Sequence, residues 1–348
     1  MRIARALGLR YPIVQAPMAG TSTPALAAAV REAGALGSIA VGAVDAAVAR
    51  AMVADLRTRT DKPFNVNAFV HRRALRDEAM EREWIAAMTP LFARFDVAPP
   101  AHLREIYRSL NDDPDMLAVL VEAAPAVVSF HFGLPSPEAI AALKARGCLL
   151  VASATSLDEA LAVQAAGIDA IVAQGIEAGG HRGVFDPAAP DEQLTTLELV
   201  RLLAAQIDLP IIAAGGIMDG ADVRQALGAG ADAVQMGTAF VACPESAADD
   251  GYRAVLASAA GTTLTDAISG RPARCLDNRF VAWGAQTRAS APGYPMTYDA
   301  GKALIAAAKA AGEDGWGAHW AGKAFARARA MPAGDLVAAL AREAGFDA

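Results

Sequence analysis

Eight short apolar runs, separated by helical patterns, restrict this 348-residue chain to a small set of folds. They are Pro12–Ala16, Leu36–Ala40, Pro63–Asn67, Ala126–Phe130, Cys148–Ala152, Ala170–Gln174, Pro210–Ala214 and Ala233–Met236. The runs are continuous rather than alternating, as parallel strands buried on both faces by crossover helices should be. Helical stretches lie between them at about 23–33, 45–59, 73–122, 137–146, 157–166, 193–206 and 219–229, with another at 245–259. Ser22-Thr23-Pro24, Ser136-Pro137-Glu138 and Ser156-Leu157-Asp158 supply helix starts, and Gly147, Gly167 and Gly230 supply stops. Eight βα units predict an α/β protein of the (β/α)8 TIM-barrel type. A doubly wound open sheet is the competing architecture, because a count of strands does not show closure.

Two segments exceed the barrel. Residues 70–122 hold more than one crossover helix, with charged runs Arg72-Arg73 and Asp77-Glu78 and a dividing Pro99-Pro100. The expected division is therefore a barrel over 1–69 and 123–261, a helical insertion over 70–122, and a C-terminal helical or lid segment over 262–348. With 54% hydrophobic residues there is ample material for a large core. The net charge of −7 argues against nucleic acid or an anionic membrane as partner. Cys148, Cys243 and Cys275 are odd in number and lack metal-ligand spacing, which predicts a reducing, cytoplasmic setting and no metal site. No apolar run reaches the roughly 18 residues of a membrane span. The oligomeric state stays open.

A barrel of this kind carries its active site at the C-terminal strand ends. Polar residues and glycines collect there: Gln15 to Gly20, Asn65 to Asn67, Ser129-Phe130-His131-Phe132-Gly133, and Gln235-Met236-Gly237-Thr238. The run from Ile171 to Gly183 ends an apolar stretch in Gln174 and leads through Gly179-Gly180 to His181. Glycine lets backbone amides approach a flat or anionic ligand, and a histidine there is suited to proton transfer. A tight turn with a capping histidine is the plainer reading. Gly215-Gly216, with a helix start near Asp219, and Gly237-Thr238 offer a phosphate free N–H groups and helix potential. Pro17-Met18 could pack on a ring whose heteroatoms Asn67 and Gln174 would meet. His131 is either a substrate contact or a core histidine. Tyr294, Tyr298 and Lys302 share a face only if helical, and Pro295 favours a loop followed by a helix from about Asp299. His71 and His102 read as surface residues, and His319 as packing. Neither Gly-x-Ser-x-Gly nor a dinucleotide fingerprint after the first strand is present.

The order Gln15-Ala-Pro-Met-Ala-Gly, Ser-Phe-His131-Phe-Gly, Gln-Gly-Ile-Glu-Ala-Gly-Gly-His181-Arg-Gly, Ala-Ala-Gly-Gly216-Ile and Gln-Met-Gly-Thr238 resembles the nitronate monooxygenase family, formerly 2-nitropropane dioxygenases. The match spans at least residues 12–302, and the Tyr294, Tyr298, Lys302 spacing looks like the fourth motif of its class I enzymes. Thr21 departs from the second glycine of many relatives. The resemblance implies an FMN-binding barrel that uses O2 to oxidise alkyl nitronates, with propionate 3-nitronate the characteristic class I substrate. It places flavin contacts on Ala16, Pro17, Met18, Asn67, Gln174, Gly179, Gly180, Gly215, Gly216, Gln235, Met236, Gly237 and Thr238. His181 becomes the reactive histidine, with His131 beside it, and Tyr294, Tyr298 and Lys302 the substrate contacts. An NAD(P)H-dependent flavin reductase of quinones or enoyl thioesters, and a non-redox barrel for a phosphorylated ligand, remain as alternatives.

Overall fold

A computed structural model describes residues 1–346. The strands β1 (Ile13–Gln15), β2 (Ser38–Ala40), β3 (Asn65–Phe69), β4 (Val127–His131), β5 (Leu149–Ala154) and β6 (Ala170–Gln174) belong to one parallel sheet. After the short β7 (Gly180–His181), which lies outside it, β8 (Ile211–Ala214) and β9 (Ala233–Met236) complete that sheet. β9 pairs with β1, and a parallel bridge between Val14 and Leu36 joins β1 to the approach of β2. The Leu36 N–H to Ile13 and Gln15 N–H to Leu36 bonds, each 2.9 Å, bring the ends together. The eight strands thus form a nearly closed barrel, and the open-sheet alternative falls.

Strand periodicity sorts the side chains. Ile13, Ile39, Val66, Val128, Leu150, Ile171 and Ile211 join the outer core under the helices. Their neighbours Val14, Val127, Val151, Val172 and Ile212 fill the barrel interior and are plugged from below by Ile3 and Leu7. Two residues further along, the same parity turns polar: Ser129 and then His131 follow Val127, Ser153 follows Val151, and Gln174 follows Val172. The interior is therefore greasy at the floor and polar at the C-terminal rim, where a site can form.

A second lobe sits over that rim. The helix Glu78–Ala93 contributes Trp84, Met88 and Phe92 to a core shared with Phe280, Val281, Met296, Leu304 and Trp316. The tail opens with strands rather than helices: β10 (Thr262–Thr265) and β11 (Ala273–Leu276) pair antiparallel, and β11 takes β7 as its other neighbour. Within 70–122, the helix Pro114–Ala123 packs against Ala46–Arg59. At the far end, Ala333–Ala344 packs on the barrel helices Gly220–Gly228 and Pro24–Glu32 and buries Leu336, Val337 and Leu340. Among the described residues, no helix is long and apolar enough to cross a membrane.

Candidate active site at the barrel mouth

The histidine loop is held in place from the barrel side by Gln174. Its Nε2 donates to the His181 carbonyl at 3.0 Å, and its Oε1 accepts from the Gly183 N–H at 2.7 Å. The loop thus engages both ends of the Gln174 amide, whose Nε2 keeps a second N–H. Arg182, fully buried, adds two bonds to the Gln174 and Gly175 carbonyls and a two-pronged pair with Asp191 at 2.8 Å. From the other side, His181 pairs with Ala273 across the small sheet. Glycine is required at 179, where a Cβ would stand 2.5 Å from the Ala321 carbonyl carbon and the Gly322 nitrogen.

His131 supports the same loop. Its Nε2 lies 3.2 Å from the His181 carbonyl, which can only accept, so the ring proton is on Nε2. Nδ1 then accepts from the Ser153 hydroxyl at 2.8 Å. Both ring nitrogens are occupied, so His131 positions the His181 backbone and has no free nitrogen for a substrate. Burial lowers its pKa to about 4, reinforced by the Arg271 and Arg182 charges against the opposing bond to His181. Burial, the adjacent His131 and the Arg271 charge lower His181 to about 3. Both imidazoles are neutral at physiological pH.

Aromatic rings enclose His181. The ring centres of Trp320, Tyr294, Phe132 and Tyr298 lie 5.0, 5.5, 5.6 and 6.1 Å from its own. Phe132 has φ +78°, a left-handed conformation that costs a non-glycine residue energy and is characteristic of constrained sites. Over its face, 4.3 Å from the ring centre, lies the guanidinium of Arg271. The segment is a loop followed by a helix, as Pro295 suggested, with the helix beginning at Met296, three residues before Asp299. Tyr294 therefore lies in the loop, yet its ring packs near Tyr298, which in turn neighbours Lys302. Lys302 Nζ stands 5.1 Å from the Tyr107 ring and 5.7 Å from the Tyr298 ring, at the outer edge of the aromatic wall. Desolvation there lowers its pKa, although the side chain as a whole is exposed.

The remaining predicted positions fall into one arc. A Cβ on Gly237 would lie 3.5 Å from Ala16 and 3.6 Å from Met18, so the loops after β9 and β1 touch. Gly322 donates to Thr238 Oγ1 at 2.9 Å, which joins that arc to Gly179. Gly215 and Gly216, at φ +126° and +70°, face a cleft of about 250 Å³ shared with Glu177, Thr196 and Lys323. Across the mouth, Asn67 Nδ2 donates to Ser129, leaving its carbonyl oxygen to accept from a ligand. One electrostatic expectation is corrected: the helix starting at Gly220 has its first amides taken by carboxylates. Asp219 caps Ala221 and Asp222, and Glu343 takes Gly220. A phosphate here would rest on the glycine loops, where the Gly216 and Thr238 N–H groups make no bond within the described chain.

Several site residues were not anticipated. His71 is buried rather than on the surface, edge-on to Tyr294 with ring centres 5.0 Å apart, and its pKa falls to about 4 through burial and Arg271. Tyr107, Ser269, Arg271 and Trp320 come from the insertion and the tail, where no spacing pattern marks them. His102 is exposed and His319 packs against Tyr252, as read from the sequence.

The chain as a whole is similar to known proteins. The family model for nitronate monooxygenase matches residues 2–343. A nitronate monooxygenase of Paraburkholderia phytofirmans is 59% identical over 340 residues, 97% of this chain and 93% of the relative. One from Pseudomonas aeruginosa is 53% identical, covering 98% of each chain. The crystal structure of a nitroalkane oxidase from Streptomyces ansochromogenes superposes with a TM-score of 0.90 at 39% identity, over 99% of this chain and 98% of that one.

Proposed function

The chain belongs to the nitronate monooxygenase family of oxidoreductases, and from that premise we propose that it binds FMN across the barrel mouth and oxidises alkyl nitronates, propionate 3-nitronate foremost, to a carbonyl product and nitrite or nitrate. The observation that carries this reading is the charge balance around His181. The neutral imidazole has the buried Arg271 guanidinium beside it, and Lys302 stands farther out, exposed, by Tyr107 and Tyr298; neither cation lies within 4.0 Å of a carboxylate among the described residues. Arg271 donates to the Val184 carbonyl but has no counter-ion there, and a buried cation without one is costly, so a substrate anion would offset that cost.

The residues divide the work. Gly215, Gly216, Gly237 and Thr238 would receive the FMN phosphate, Gly179 and Gly180 would let the loop approach the ring, and Ala16, Pro17 and Met18 would line one side. Gln235 and Met236 would hold the strand end beneath, and Asn67 would accept a hydrogen bond from the ring. When bound, the flavin supplies the electron transfer from nitronate to O2. The aromatic wall of Phe132, Tyr294, Tyr298 and Trp320 keeps water from the reacting carbon. Arg271 attracts the nitronate anion, and Lys302, with Tyr298 beside it, receives a carboxylate at the outer end. His181 stands closest to the reacting atoms, and His131 orients it through the backbone.

The test uses the FMN-loaded protein with propionate 3-nitronate and no NADH, following oxygen uptake and nitrite release. Rapid turnover is expected. His181→Asn should retain its flavin spectrum and lose most of the rate. Full activity in that variant removes His181 from the reaction, and bleaching of wild-type flavin by NADH without nitronate turnover makes the protein a reductase.

A further inference from the structure

The imidazole of His181 has two nitrogens, and only one of them is held by the protein. Nε2 lies 2.9 Å from Ser269 Oγ. Ser269 is fully buried, and its hydroxyl also lies 3.2 Å from the Arg271 carbonyl oxygen. A carbonyl accepts and never donates, so the single Ser269 proton points at Arg271 and the Ser269 oxygen is left to accept. The proton it accepts is on His181 Nε2. Nδ1 makes no hydrogen bond within the described chain and is not sealed from solvent, so its lone pair is presented to the mouth of the site.

We propose that Ser269 is a positioning residue that fixes the His181 proton on Nε2 and so determines that the atom facing the substrate is a hydrogen-bond acceptor. The chemical consequence rests on the proposed function. An acceptor facing the reacting carbon can take a proton from a neutral nitroalkane, whereas to a preformed nitronate it donates no hydrogen bond and offers only the packing of the neutral ring. Anion attraction then falls to Arg271 and Lys302, while His181 governs which protonation state of the substrate reacts. The groups facing the imidazole support a neutral ring: His131 below it, Arg271 behind Phe132, and Tyr294 and Tyr298 from the tail helix and the loop before it. None is an anion that would favour a second ring proton.

The test reads the tautomer directly by long-range proton–nitrogen correlation NMR on holoenzyme labelled with 15N-histidine, with the signals assigned through His181→Asn. A single Nε2–H tautomer is expected in wild type and in Ser269→Thr, which keeps the hydroxyl. A mixture of tautomers is expected in Ser269→Ala. With a neutral primary nitroalkane, Ser269→Ala should lose about tenfold in kcat with little change in KM, its pH profile should move, and Ser269→Thr should restore both. An Nδ1–H tautomer in wild type overturns the proposal without any variant, as does an unchanged Nε2–H tautomer in Ser269→Ala. The NMR result is independent of substrate, so failure of the proposed activity would be seen separately in the oxygen assay.

Discussion

At the scale of single residues, the site combines neutral histidines with two cations that have no carboxylate partner among the described residues. Lys302 is the easiest to test, because it stands at the edge of the aromatic wall and its removal leaves no buried charge behind. Lys302→Met should raise KM for a carboxylate-bearing nitronate about tenfold, corresponding to ~1.4 kcal/mol. An uncharged alkyl nitronate, measured alongside by oxygen uptake, should shift much less. An equal loss on both substrates would mean that Lys302 supports the fold rather than the carboxylate. His181 and the Tyr294, Tyr298, Lys302 series were legible in the sequence, because each lies in a local pattern of glycines or four-residue spacing. Ser269, Arg271, Tyr107 and His71 were not. Each acquires its role only from a neighbour more than 50 positions away, and no periodicity encodes such a meeting.

At the scale of elements, the loop from Gly175 to Gly183 joins the two lobes. Gln174 and Arg182 tie it to the barrel, while β7 pairs with β11 of the tail. Arg182 is the central tie, with a side chain only 1% exposed and a two-pronged bond to Asp191. Arg182→Met would fill the space but leave Asp191 without its cation, with only the Gln193 N–H still donating to it, and would take one donor from each of the Gln174 and Gly175 carbonyls. Loss of one member of a buried pair costs about 3 kcal/mol, so the urea midpoint should fall and bound FMN should be lost earlier in the titration than the barrel's helical signal. A variant with unchanged stability would show that the loop is held by the small sheet alone. The sequence marked this loop through its glycines. It could not show that Gln174 also braces the loop, since an amide at a strand end suits a loop or a ligand.

At the scale of the whole molecule, three histidines are held neutral where the two lobes meet. His71 and His131 have pKa values of about 4 and His181 about 3, against an ordinary value of 6.5. Between those limits the unfolded chain binds protons that the folded one does not. Stability is therefore full above pH 6.5 and is lost as pH falls toward 4, on the order of 2 kcal/mol per histidine. Thermal melts from pH 7.5 to 4.5 should show a steady fall in Tm, and His71→Phe should show a shallower one. A flat profile in wild type would mean that the histidines are hydrated in solution. The sequence by itself determined the eight strands, the polar rim and the family, because these follow from local periodicity and from motifs that are contiguous in the chain. Only the tertiary structure decided that β10 and β11 form a sheet with the histidine loop, that the last helix returns to the barrel, and that Ser269 and Arg271 reach His181. Those contacts are made by segments remote in sequence, whose partners are chosen by shape, burial and charge once the barrel has closed.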